Sequence, residues 1–200
     1  FTSNELLAAL SDKDEHIRAW AIQFLCEDKK PSNEAVLAFI RLAKEDPSPV
    51  VRLYLASAMQ RINKEAAWNL AEQLALHSKD ATYHNLPKML WFGLEPLVKN
   101  NPDKAIFLAN NANIPLISQY ISRRLIDANM PELVLATLSK KSKNQILILK
   151  GMRDGLEGRF VLKAPKNWPA VYAKFKRNKG KTEQLSKQIS QIFCDTEVIE

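Results

Sequence analysis

Two segments decide the reading: Asp12-Lys13-Asp14-Glu15-His16-Ile17-Arg18-Ala19-Trp20-Ala21-Ile22 and Asp46-Pro47-Ser48-Pro49-Val50-Val51-Arg52-Leu53-Tyr54-Leu55-Ala56. The aspartates stand 34 residues apart, and Asp80 follows after another 34. Five and six positions beyond the first two come an apolar residue and an arginine, Ile17-Arg18 and Val51-Arg52, followed by Ala21-Ile22 and Leu55-Ala56. A fixed period of this size is the signature of a solenoid. One helical hairpin cannot bury its own apolar face, and a stacked copy supplies the missing partner. An aspartate at the turn suits the cap of its repeat's second helix. An arginine one turn into that helix can reach the neighbouring repeat's aspartate. Asp12, Arg18, Asp46, Arg52 and Asp80 are therefore expected to form a ladder between repeats. At the third copy the pattern lapses: Asn85-Leu86 stand where apolar-Arg is expected.

Outward from these segments the chain reads as helices in pairs. Ile17, Trp20, Ala21, Phe24 and Leu25 recur at helical spacing, as do Val36, Leu37, Phe39, Ile40 and Ala43. Asp46-Pro47-Ser48-Pro49 turns into Val51, Leu55, Ala58, Met59 and Ile62, and Lys64 to about His77 continues. Pro87, Pro102, Pro115 and Pro131 suit helix starts. Further helices are expected over 142–157, 167–178 and 181–194, with Arg159-Phe160-Val161-Leu162 at most a short extended loop. The pattern predicts about twelve helices in about six hairpins. The expected fold is all-α, an α-α superhelix over residues 1–200 as a single helical-repeat domain.

Composition agrees. Hydrophobic residues make up 46% and charged residues 26% of 200, an ordinary globular mixture. Five glycines are too few for folds built on glycine turns. No apolar run is long enough for a transmembrane helix. The start at Phe1 suggests a piece of a longer protein. Net charge is +7, but residues 1–138 hold 15 Lys+Arg against 16 Asp+Glu, and residues 139–200 hold 14 against 6. The whole basic excess therefore lies in the last third, as a solvated end or as a surface for an anionic partner. The two cysteines, Cys26 and Cys194, would sit in the first and last layers, too far apart for a disulfide, and are expected as free, mostly buried thiols.

The repeat unit at residues 11–22 and 45–56 resembles the HEAT repeat. A narrower likeness lies at Asn85-Leu86-Pro87, Trp91 and Glu95-Pro96. This stretch resembles the helical region of large bacterial proteins named membrane-bound dehydrogenases, in which a sugar-dehydrogenase-like propeller precedes a HEAT-like region and a c-type cytochrome domain follows. Val50 to Leu53, Ala56 to Arg61 and Ile121 to Arg124 fit that region too. The resemblance implies an exported, periplasmic parent protein. It also implies that this domain is a non-catalytic scaffold contacting its neighbouring domains, with any haem c elsewhere, since no CxxCH stands here.

Few residues suggest chemistry. Trp91 and Glu95 share a helix face at i,i+4, Pro96 should kink that helix, and His84 and Asn85 stand at its start. His84, Asn85, Trp91 and Glu95, with Arg123 and Arg124, are the candidate interaction or pocket residues. The plainer alternative makes His84 and Asn85 caps, Trp91 packing, and Glu95 the partner of an arginine such as Arg52 or Arg124. No catalytic set, phosphate loop or metal-ligand spacing is present, and His16, His77 and His84 fall in different turns. The competing function is a HEAT-like DNA binder or alkylpurine DNA glycosylase. Trp91 and Trp168 would then hold bases, and Lys174, Lys176, Arg177, Lys179 and Lys181 would contact phosphates.

Overall fold

The computed structural model describes residues 1–159, 162–178 and 180–193. Cys194, Lys179, Phe160 and Val161 lie outside them. The described residues form twelve α-helices and one 3-10 turn, with no strand among them. The architecture is all-α, of the α-α superhelix class.

The chain divides into two compact units, Phe1–Leu97 and Val98–Glu200. The first carries α1 (Ser3–Ala9), α2 (Glu15–Leu25), α3 (Asn33–Glu45), α4 (Pro49–Ala58) and α5 (Lys64–Leu74), then a 3-10 turn (Ser78–Thr82). Next comes α6 (Leu86–Val98), which carries Pro96 inside it. Helix α1 packs on α2, α2 on α4, α3 on α4 and α5, and α4 on α5. First helices thus neighbour first helices and second helices neighbour second ones.

Each start has a sequence cause. Thr2 closes a capping box with Glu5. Asp14, Ser32, Ser48 and Asn63 cap α2 to α5 through their side chains. The expectation for the aspartates is corrected here. Asp12 and Asp46 stand two residues ahead of the caps, and their carboxylates accept from the backbone N–H of Asp14 and Ser48, at 2.8 and 2.9 Å. They shape the turn that delivers the cap.

In helix α2, Ala19, Ala21 and Ile22 are buried, with Cys26 just past its end, whereas Ile17, Trp20 and Phe24 are 46%, 51% and 39% exposed. Two stripes at helical spacing compete in this sequence. The small one wins the core because Ala19 and Ala21 let α2 come close to its neighbours.

The second unit holds α7 (Pro102–Asn111), α8 (Pro115–Asp127), α9 (Pro131–Ser139), α10 (Gln145–Leu156), α11 (Trp168–Lys176) and α12 (Lys181–Ile192). Helices α7, α9 and α11 form one layer and α8, α10 and α12 the other, with α7 on α8, α9 on α10 and α11 on α12. Prolines open α7, α8 and α9 where side-chain caps are lacking. The tightest seam joins α8 and α10. A Cβ at Gly151 would fall 2.0 Å from the Gln119 carbonyl oxygen, and one at Gly155 would fall 2.8 Å from Ile126 Cβ. The two glycines, one turn apart on α10, let the backbones approach.

Candidate functional site

The ladder residues converge. Arg18 Nε and Nη2 donate to Asp46 Oδ2 and Oδ1 at 2.7 and 2.9 Å, and Nη1 donates to the Asp12 carbonyl at 2.9 Å. One repeat on, Arg52 Nε and Nη2 donate to Asp80 Oδ2 and Oδ1, both at 2.5 Å, and Nη1 donates to the Asp46 carbonyl at 2.6 Å. Each guanidinium thus binds a carboxylate 28 residues ahead and its own repeat's turn behind. The fork geometry matches the carboxylate as only arginine can. The hydrogen bond to Asp46 holds the Arg18 guanidinium above its ordinary value. Arg52 and Asp80 are 5% and 1% exposed, so the second rung is buried. The run ends there, since Asn85 and Leu86 bring no third arginine.

A second set of inter-repeat bonds went unread in the sequence. The Nε2 of His77 lies 2.7 Å from the Ala43 carbonyl oxygen at the end of α3. Asn144 Nδ2 donates to the carbonyls of Ala109, in the last turn of α7, and of Ala112, just past its end, both at 2.9 Å, and lies 3.0 Å from Ser118 Oγ. Lys174 Nζ donates to the carbonyls of Leu138 and Lys140 at 2.8 and 2.9 Å, around the end of α9. In each case the last carbonyls of a first helix, which lack intrahelical partners, are met by a side chain about one repeat downstream. The only signal in the sequence is the offset of 32 to 36 residues, with no shared residue type to mark it.

Several chemical candidates therefore take structural places. Lys174, a phosphate contact only in the competing nucleic-acid reading, is spent on these carbonyls, and burial lowers its pKa. Trp168, a base-holding residue only in that competing reading, is fully buried, donates from Nε1 to Ser190 Oγ at 2.9 Å and meets Phe193 edge-on. Lys176, Arg177 and Lys181 are exposed. Of the arginines considered for Glu95, Arg52 gives its fork to Asp80.

Of the pocket residues, His84, Asn85, Trp91 and Glu95 belong to the first unit. His84 and Asn85 are exposed before α6, Trp91 and Glu95 half-buried along it. The Asn85 carbonyl accepts from Met89 N–H at 2.9 Å and opens the helix. Arg123 and Arg124 lie on α8 in the second unit, one exposed and one half-buried. Cys26 is a free, buried thiol, and burial pushes its pKa up to about 11. No grouping of three or more His, Cys, Asp or Glu that could hold a metal occurs among the described residues. No helix among them is long and apolar enough to cross a membrane.

Paired helices, a repeated arginine–aspartate rung and side-chain closure of helix ends define a helical-repeat protein. A family model described as HEAT repeats matches residues 3–84, the segment that holds both rungs. No curated protein and no solved structure matches the chain.

Proposed function

We propose that the chain is a non-catalytic helical-repeat scaffold that offers its helix faces to protein partners. One observation carries this reading: the charged and polar groups best suited to chemistry are tied up between repeats, while large apolar side chains stay in solvent. Arg18, Arg52, Asp46, Asp80, Asn144 and Lys174 are all so engaged. Trp20, Leu37, Phe92 and Phe107 are 51%, 68%, 54% and 66% exposed. A repeat array gives extended surface at low loop cost, which suits display better than catalysis. His84, Asn85, Trp91, Glu95, Arg123 and Arg124 remain the interaction residues of this proposal.

The finer proposal places the scaffold inside a larger exported bacterial dehydrogenase-like protein, with neighbouring domains as partners and any haem c outside these residues. It rests on the resemblance around Asn85 to Pro96. The coding sequence on either side tests it. Propeller repeats upstream or a CxxCH downstream are expected, and the lack of both overturns this context. Hydrogen exchange on the chain alone and within its parent then tests the scaffold itself. Protection of helix faces in the parent is expected, and unchanged exchange throughout overturns the reading.

A further inference from the structure

The groove between α7 and α9 has features that the framework of repeats does not use. It is open to solvent and offers a volume of about 480 Å³. Phe107, 66% exposed, and Leu133 give its lining apolar surface, and Lys140, Lys141 and Lys143 line it too, with no carboxylate among the described residues of the lining. Such lysines commonly serve the dipole of the helix they follow. Here that need is already met, because Lys174 reaches the last carbonyls of α9 from the next repeat. Lys143 leans on Asn113 Oδ1 at 2.8 Å, a neutral partner. Three cations are thus gathered on a short turn where they repel one another. In the wall, Asn110 Nδ2 donates to the Ile106 carbonyl at 3.0 Å.

We infer that this groove binds an acidic peptide segment of a protein partner. Its carboxylates meet Lys140, Lys141 and Lys143, and an apolar side chain lies on Phe107 and Leu133. A bare phosphate would use the lysines alone. The apolar side chains of Phe107 and Leu133 ask for a further thing, an apolar side chain beside the acidic ones, which a polypeptide carries. The inference rests on the scaffold reading and names one of its surfaces.

The test uses the full chain and a short fluorescein-labelled peptide of Asp, Glu, Leu and Phe, followed by anisotropy at an ionic strength of about 0.1 M. Binding is expected, with Lys140→Glu/Lys141→Glu weakening it by about tenfold and Phe107→Ser by about fivefold, roughly the cost of one lost contact. Lys176→Glu/Lys181→Glu makes the same charge change elsewhere and should leave affinity within about twofold of wild type. Thermal melts show that each variant is folded. The inference is overturned if the distant reversal weakens binding as much as the groove reversal, or if Phe107→Ser is without effect. It also falls if a single-stranded oligonucleotide displaces the peptide at lower concentration than unlabelled peptide does. Exchange protection in the parent that spares α7 and α9 would sink the groove and leave the scaffold standing.

Discussion

Arg52 and Asp80 show how one residue pair carries a repeat. Both side chains are almost fully buried and meet in two parallel bonds of 2.5 Å. Bringing such a pair out of water is costly, and its mutual attraction roughly offsets that cost. Removing one partner is different, because it strands a buried charge. Asp80→Ala should therefore lower unfolding free energy in urea by about 3–5 kcal/mol. Arg52→Met combined with Asp80→Leu should recover most of the loss, since no charge is then stranded. If the double variant is as unstable as Asp80→Ala, the rung contributes more than compensation for its own burial. The pair was legible in the sequence because the motif recurs at a fixed period. The closure of first helices by His77, Asn144 and Lys174 was not, because a histidine, an asparagine and a lysine do the same work at unequal offsets. Trp168 stayed open between two readings for another reason. An aromatic beside lysines fits a nucleic-acid surface as well as an amphipathic helix, and only the partner Ser190 distinguishes the two.

At the scale of the element, helix existence was written in prolines and caps, while the buried face was not always so. Helix α2 offers two apolar stripes, and periodicity alone cannot choose between Trp20 and Ala19. Helix α10 hides a similar choice in its glycines, which a helical reading counts only as weak points. The α8–α10 seam makes them necessary. In Gly151→Ala the new methyl meets the Gln119 backbone, which cannot swing aside as a side chain would. The loss should be about 3 kcal/mol or more, above the usual range for overpacking. At Gly158 (φ +75°) a Cβ has open space, and Gly158→Ala should cost only the backbone penalty, about 1 kcal/mol. Chemical denaturation of the two variants side by side checks the contrast, and equal losses would discount the close approach. The start of α1 depends on pH. The backbone N–H and hydroxyl of Thr2 donate to the Glu5 carboxylate and lower its pKa below the ordinary glutamate value. A carboxylate with a depressed folded pKa adds stability above its unfolded value, which is lost as pH falls through the folded one. Amide exchange in α1, corrected for its intrinsic pH dependence, should thus show protection declining below about pH 4.5. An unchanged α1 at pH 3 would show that the capping box does not hold it.

Across the molecule, the basic excess changes meaning once its members are placed. Lys174 closes a helix end, Arg153 pairs with Asp154, Arg159 with Asp127, and Lys187 with Glu183. Lys140, Lys141 and Lys143 are gathered instead on one groove. No count of charge along the sequence separates these roles, because they depend on which helix lies one repeat away. The same neighbour-to-neighbour logic governs how damage should spread. In a repeat array each hairpin is stabilised by itself and by the hairpins beside it. Gly151→Ala loosens α8 and α10, and α10 packs on α9 and α12. Under native conditions its hydrogen exchange should therefore rise most in α8 and α10 and less in α9 and α12. Helices α2 to α5, which lie in the other compact unit, should keep wild-type protection. Asp80→Ala should give the reverse map, with α4 and α5 losing protection and α8 to α12 unchanged. If either substitution instead raises exchange evenly from α2 to α12, unfolding is a single global event and the nearest-neighbour account of this chain fails.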